Sequence, residues 1–190
     1  MIVLLYPNHI KKDYNKFVSY KNRGMALEEL LNVSNEYYRE IDRAIIYKKP
    51  TPITISEVKY PNNSEKIITK AYFRTPSTLD YNGIYRGKYI DFDAKETKNR
   101  TAFPLANLHE HQYQHMKKVI EHGGISFLII YMNGLFYYLD GKDIITFVEN
   151  NTRKSIPYSF IQEHGKVIPQ KIKPRLDYLK VLDTLYFEEV

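Results

Sequence analysis

The apolar rhythm of this chain changes several times, and each change marks an element. From about Arg23 to Arg39, Leu27, Leu30, Leu31, Tyr37 and Tyr38 recur at helical spacing and predict an amphipathic helix. The period then shortens. Ala44 to Tyr47 is a brief β-type run, punctuated by Pro50 and Pro52. Over Ile53 to Tyr60, Ile53, Ile55 and Glu57 alternate with Thr54, Ser56 and Val58, as in a strand. Pro61-Asn62-Asn63-Ser64 predicts a turn or excursion, Lys66 to Phe73 another strand, and Asn82-Gly83 another turn.

The strand Lys88 to Lys95 is the most informative. Ile90, Phe92 and Ala94 share one face; Asp91, Asp93 and Lys95 share the other. The apolar face belongs to a core, which leaves the charged face to solvent or to a cleft. Asn107 with Glu110 three residues on resembles a capping box and predicts a helix from Leu108 to about His122. Ile125 to Met132 is almost unbroken apolar sequence, the signature of a central strand buried on both faces. Asn133-Gly134 predicts a hairpin into Leu135 to Leu139. Asp143 to Glu149 and Pro157 to His164 read as short helices, and Val181 to Phe187 as a closing strand. The sum is α/β: a mixed central sheet flanked by helices.

Composition narrows the function. At 190 residues the chain is read as one domain, with a polar, basic and flexible segment over 1–21. Twenty-eight Lys and Arg against 22 Asp and Glu give a net charge of +6, which favours a polyanionic partner, nucleic acid first. The absence of cysteine excludes disulfides, thiolate catalysis and Cys-type zinc sites. No apolar run approaches the roughly 18 residues that span a bilayer, and Met1 to Tyr6 is too short for a signal-peptide core. A cytoplasmic protein is the simplest reading.

The candidate chemistry lies between Ser77 and Thr97. Asp80 and Asp93 can hold a hard cation such as Mg²⁺, which prefers oxygen ligands and polarises a phosphoryl oxygen. Lys95, on the same strand face as Asp93, can orient a water or offset charge on phosphorus. Alone, Asp-x-Lys is also what a solvated strand face looks like. Gln112 shares a helix face with Leu108, Met116 and Val119, so its amide must find partners at the core's edge, either as a ligand position or against sheet backbone. His111 and His115, spaced i,i+4, offer a zinc pair, but with Lys118 and His122 they read as a solvent- or DNA-facing stripe. His111 stands next to Gln112, within reach of a phosphate. Lys48, Lys49, Lys59, Lys66, Lys70 and Arg74, interleaved with tyrosines, fit nucleic-acid contact; so does Arg23 ahead of a helix N-terminus. Glu28 faces the site from that helix. P-loop, GxGxxG, GxSxG and HExxH motifs are absent.

Several separated segments resemble one family. Asn22-Arg23-Gly24-Met25, Lys48-Lys49-Pro50-Thr51-Pro52-Ile53, Ala71-Tyr72-Phe73, Ser77-Thr78-Leu79-Asp80-Tyr81-Asn82-Gly83, Tyr89 to Thr97, Phe103-Pro104-Leu105 and His109-Glu110-His111-Gln112 follow the order and spacing of RecU-type Holliday-junction resolvases. The resemblance runs from about residue 22 to the C-terminus. It implies a restriction-endonuclease-like core of the PD-(D/E)xK kind, with a protruding stalk over about 59–76. It also implies a homodimer that cuts four-way DNA junctions with Mg²⁺ (Mn²⁺ as substitute) in recombination and repair, leaving 5′-phosphates, and that contacts the recombinase RecA. The metal-site positions of the family fall on Thr78, Asp80, Asp93 and Gln112, and its transition-state-stabilising lysine on Lys95. Two departures stand out. Asp93 replaces the family's usual Glu, and Asn62 and Asn63 stand where the stalk is usually basic. They motivate the alternative of a non-catalytic branched-DNA-binding protein that modulates the recombinase. A sequence-specific restriction-type nuclease is a third class.

Overall fold

The computed structural model describes residues 27–62, 65–74 and 78–187. Helix α1 (Leu27–Glu40) leads into β1 (Ile45–Lys48), the hairpin β2 (Ile53–Asn62) and β3 (Glu65–Phe73), then β4 (Tyr81–Tyr85) and β5 (Lys88–Glu96). A short β6 (Ala102–Pro104) precedes α2 (Glu110–Glu121), β7 (Ile125–Met132), β8 (Leu135–Asp140) and α3 (Gly141–Asn150). The chain ends through β9 (Ser155–Pro157), α4 (Tyr158–His164), β10 (Lys166–Val167) and α5 (Tyr178–Leu182). Arg23 and the basic segment to Lys21 lie outside the described residues.

Six strands form the central sheet, in the order β1-β4-β5-β7-β8-β10. Only β5 and β7 run parallel; the other pairs are antiparallel, so the sheet is mixed as read from the sequence. Parallel neighbours need a crossover, and α2 supplies it. This connection carries α2 back across the face of β5.

Both sheet faces are covered. On one, Leu27, Leu31 and Tyr38 of α1 and Tyr178, Leu179 and Leu182 of α5 pack on Phe92, Phe127 and Tyr138. The Tyr81, Phe92 and Phe127 rings stack across three adjacent strands at centroid distances of 4.8 and 4.7 Å. On the other face, Met116, Ile144, Phe147 and Ile161 of α2, α3 and α4 cover Leu128, Ile130 and Leu139. β7 therefore shows the near-continuous burial that its sequence predicts.

Four elements differ from the sequence reading. Asn82-Gly83 is not a turn but lies inside β4, and the reversal comes at Arg86-Gly87, both with positive φ (47° and 77°). Gly83 is there for proximity: a Cβ would lie 2.0 Å from the Ile45 carbonyl oxygen. Gly83→Ala should therefore force β1 away from β4 and cost about 3 kcal/mol or more, measured as a loss of thermal stability. Second, α2 starts after His109, not Asn107, and Gln112 rather than Glu110 closes the cap. Third, the predicted closing strand is the helix α5 and a π-type turn over Asp183–Phe187. Tyr178, Leu179, Val181 and Leu182 are buried at i, i+1, i+3 and i+4, a helical rather than alternating pattern.

Fourth, the excursion begins earlier than the sequence implied. β2 and β3 pair only with each other and stand clear of the sheet. Every described residue of the hairpin strands is exposed except half-buried Val58. The alternation in β2 thus does not mark a buried face.

Candidate active site

The charged face of β5 is not solvated. It is roofed by α2, and Asp93 beneath it is fully buried. A lone carboxylate there would be very costly, so each oxygen is met. Oδ1 accepts from the Ala94 amide at 2.7 Å. Oδ2 accepts from Gln112 Nε2 at 2.6 Å and lies 3.0 Å from Lys95 Nζ. Gln112 Oε1 in turn accepts from Lys95 Nζ at 3.2 Å and from the His109 amide at 3.1 Å. This last bond is half of a capping box. One glutamine side chain thereby fixes the start of α2, the ammonium of Lys95 and the carboxylate of Asp93 together.

Asp80 approaches from the segment before β4. Leu79 is buried in the core and Tyr81 stacks on Phe92, so the backbone is anchored on both sides of an exposed Asp80 side chain. The Lys49 amide donates to the Asp80 carbonyl at 2.7 Å and ties this segment to the end of β1. The Asp80 carboxyl lies near enough to Asp93 for its charge to act there. Burial first, and then the charge of Asp80, push the Asp93 carboxyl up to about 6, against the opposing pull of Lys95. Thr78 is half-buried two residues before Asp80.

The structure thus brings together Asp80, Asp93, Lys95 and Gln112. The candidates on the hairpin are on a separate two-stranded sheet. Lys59, Lys66, Lys70 and Arg74 are exposed along and at the end of the hairpin, with Lys66 and Lys70 over Tyr60 and Tyr72 rings. Lys48 pairs with Glu28, so Glu28 faces that lysine. Half-buried His111 stacks on His109 at 5.5 Å. The Leu27 amide of α1 donates to Glu96 Oε1 at 2.9 Å, which ties the helix to the end of β5.

Sequence reasoning missed the role of Asp91. It is fully buried, and its Oδ2 accepts from Tyr89 OH at 2.6 Å and Lys49 Nζ at 2.7 Å, with His115 Nε2 at 3.2 Å. The signal was the alternation itself, which put Asp91 on the face of Asp93. His115 therefore turns one ring nitrogen toward Asp91 while part of its side chain stays accessible, whereas Lys118 and His122 are exposed. Among the described residues no three His, Asp or Glu side chains form a metal-binding group. The oxygen donors at Asp80 and Asp93 are two carboxylates. An all-oxygen set with neighbouring carboxylates fits a hard divalent cation better than zinc. In the arrangement described, Gln112 turns its N–H, not its oxygen, toward Asp93.

A carboxylate just before β4 and another on the adjacent β5, with a lysine two residues beyond the second, on a mixed sheet flanked by helices, fit a nuclease of the PD-(D/E)xK class. The family model for Recombination protein U matches residues 22–184. The chain belongs to this RecU family. It is 55% identical over 173 residues to the Holliday junction resolvase RecU of Geobacillus kaustophilus, covering 88% of this chain and 86% of that protein. It is 50% identical over 186 residues to the protein of that name from Oceanobacillus iheyensis, covering 95% and 94%. Among solved structures, Hjc, a Holliday junction resolvase of Archaeoglobus fulgidus, aligns with a TM-score of 0.40 and 8% identity, covering 70% of this chain and 93% of that one.

Proposed function

We propose that this protein is a cation-dependent endonuclease that resolves four-way DNA junctions by paired, symmetric phosphodiester hydrolysis. The observation that carries the reading is the opposed Asp80–Asp93 carboxyl pair with Lys95 Nζ 3.0 Å from Asp93. A divalent cation, Mg²⁺ with Mn²⁺ as substitute, supplies Lewis-acid polarisation and an acidified water when bound. Asp80 and Asp93 would hold it, with Thr78 as a neutral donor; Gln112 would join them only by turning its oxygen away from Lys95. Lys95 contributes a fixed ammonium. It has three N–H donors, Asp93 and Gln112 engage it, and a remaining donor can meet the phosphate being cut. Because Gln112 and Asp93 hold the ammonium before substrate arrives, little reorganisation is needed as charge develops on the phosphate.

A homodimer fits this chemistry. A four-way junction has approximate two-fold symmetry, and an isologous pair presents two sites to two strands. An isolated two-stranded hairpin is marginal in water, and the hairpin of β2 and β3 carries exposed Ile53, Ile55, Tyr60, Ile67, Ile68, Tyr72 and Phe73. These suit contact with a second copy or with the junction. The work belongs at the cytoplasmic nucleoid. No helix among the described residues is long and apolar enough to cross a membrane.

The test is nicking of a labelled four-way junction with and without Mg²⁺, beside linear duplex. Symmetric, Mg²⁺-dependent nicks confined to the junction support the reading. Tight junction binding without nicks would instead favour the non-catalytic alternative. Equal cutting of linear duplex would favour a restriction-type nuclease.

A pH profile gives a second check. Asp93 holds a cation only when ionised, so with its carboxyl pushed up to about 6, nicking at subsaturating Mg²⁺ should fall as pH drops through about 6. Cation-free stability should move oppositely. The folded state keeps the proton to a higher pH than the unfolded state, with its ordinary value of 3.8, so this group costs stability as pH rises through that window. Nicking that is flat from pH 5 to 8 would contradict the role of Asp93.

A further inference from the structure

A second polar cluster sits one face position earlier on β5, and the chemistry above does not use it. It repeats the plan of the first. Asp93 is met by Gln112 of α2 and by Lys95; Asp91 is met by His115 of α2 and by Lys49. Gln112 and His115 are i,i+3 neighbours on one face of α2. Asp91 and Asp93 are two residues apart along β5, about 6.5 Å at strand rise. That is comparable to the separation of successive phosphates along one nucleic-acid strand.

The distribution of exposure is not that of a purely internal bridge. Asp91 is wholly buried, but 21% of the Lys49 side chain and 24% of the His115 side chain remain accessible. The carboxylate lies behind and the donors lie in front. Lys49 Nζ uses one of its three N–H groups on Asp91, and the others have no partner among the described residues. The bond to the Asp91 carboxylate engages Nε2 of His115 and leaves Nδ1 of the ring outside it. Burying a carboxylate completely is costly unless it is paired. Here that cost fixes two otherwise mobile donors in one orientation. The Lys49 backbone amide meanwhile holds the Asp80 carbonyl, so a single residue ties this cluster to the cation-holding segment.

We propose that Lys49 and His115, held from behind by Asp91, bind the phosphate adjacent to the scissile one in the strand being cut. The inference rests on the nuclease reading and deepens it. The ligand is the phosphodiester backbone of a polynucleotide, recognised by two oriented donors rather than by a net field, since Asp91 and Lys49 cancel in charge. With one phosphate seated there, the next falls over Asp80, Asp93 and Lys95. The cluster sets the register of the strand and takes no part in bond breaking, so Asp91 is a positioning residue.

The test pairs a change in the protein with a change at a single phosphate. Junctions are built with one uncharged methylphosphonate linkage on either side of the mapped nick. Nicking in Mg²⁺ is followed for the unmodified protein and two variants. Asp91→Asn/Lys49→Gln removes both charges together, so no buried carboxylate is left unpaired. His115→Gln perturbs the more accessible donor and carries the same comparison if the double variant fails to fold. One of the two neutral linkages should slow the unmodified protein by about tenfold, through KM more than kcat. The variants should be slowed comparably on the natural junction and lose little more when that linkage is neutralised. A merely structural role would leave the two losses independent. Multiplying losses, or indifference of the unmodified protein to both linkages, would overturn the proposal while Mg²⁺-dependent nicking still stood. No nicking of the natural junction by the unmodified protein would overturn the nuclease reading, and this inference with it.

Discussion

Replacing Lys95 by alanine is expected to lower junction nicking by on the order of 10²–10³-fold, the usual cost of removing one preorganised charge-stabilising donor. Junction binding should change by less than about threefold, because one partly covered ammonium adds little to an interface built from many phosphate contacts. The physical reason is position. Lys95 Nζ is 3.0 Å from Asp93 and 3.2 Å from Gln112, fixed before any substrate arrives. Its removal also takes away the charge that opposes the upward push on Asp93. The loss should therefore be largest at low pH and smaller, but still large, at pH 8. Arginine should not restore activity, since a planar fork cannot take the place of a compact ammonium between an amide oxygen and a carboxylate. Single-turnover nicking with a parallel binding isotherm measures both quantities, and wild-type nicking by Lys95→Ala would remove Lys95 from the site.

Asp80→Asn should show opposite effects on two observables. Mg²⁺-dependent nicking should be lost, because the amide brings no charge to a cation. The cation-free protein should become slightly more stable, by about 1 kcal/mol or less after solvent screening, since Asp80 is exposed and its charge opposes ionisation of Asp93. Repulsion of this kind is tolerated where function requires it. Thermal unfolding without divalent cations, at pH 7 and at pH 5, separates the contributions. The gain should shrink at pH 5, where Asp93 holds its proton in the folded state. Stability that falls at both pH values would mean that Asp80 is a structural residue.

Much of this was legible in the sequence. The bounds of β7 follow from its unbroken apolar run, and the faces of β5 follow from strict alternation. Gln112 stood out as an amide on an apolar helix face, and it proves to be the residue that joins Asp93 to Lys95. What was not legible depends on tertiary neighbours. Nothing local distinguishes Gly83 as a site of strand approach from a turn glycine; the Ile45 carbonyl that requires it is 38 positions away. The polar side of α2 read as a solvent- or DNA-facing stripe because the partner of His115, Asp91, is on a strand 24 residues earlier. The helical tail shows its period only against Tyr38 and Phe92, which it packs upon.

The separateness of the hairpin bears on how such a protein can change over generations. Its strands pair with each other and bury almost nothing against the core that carries Asp93 and Lys95. Substitutions on its faces are therefore nearly free of stability cost, whereas almost any change on β5 or the first turn of α2 is felt at the site. The arm can therefore be altered with little effect on the folded core that carries Asp93 and Lys95.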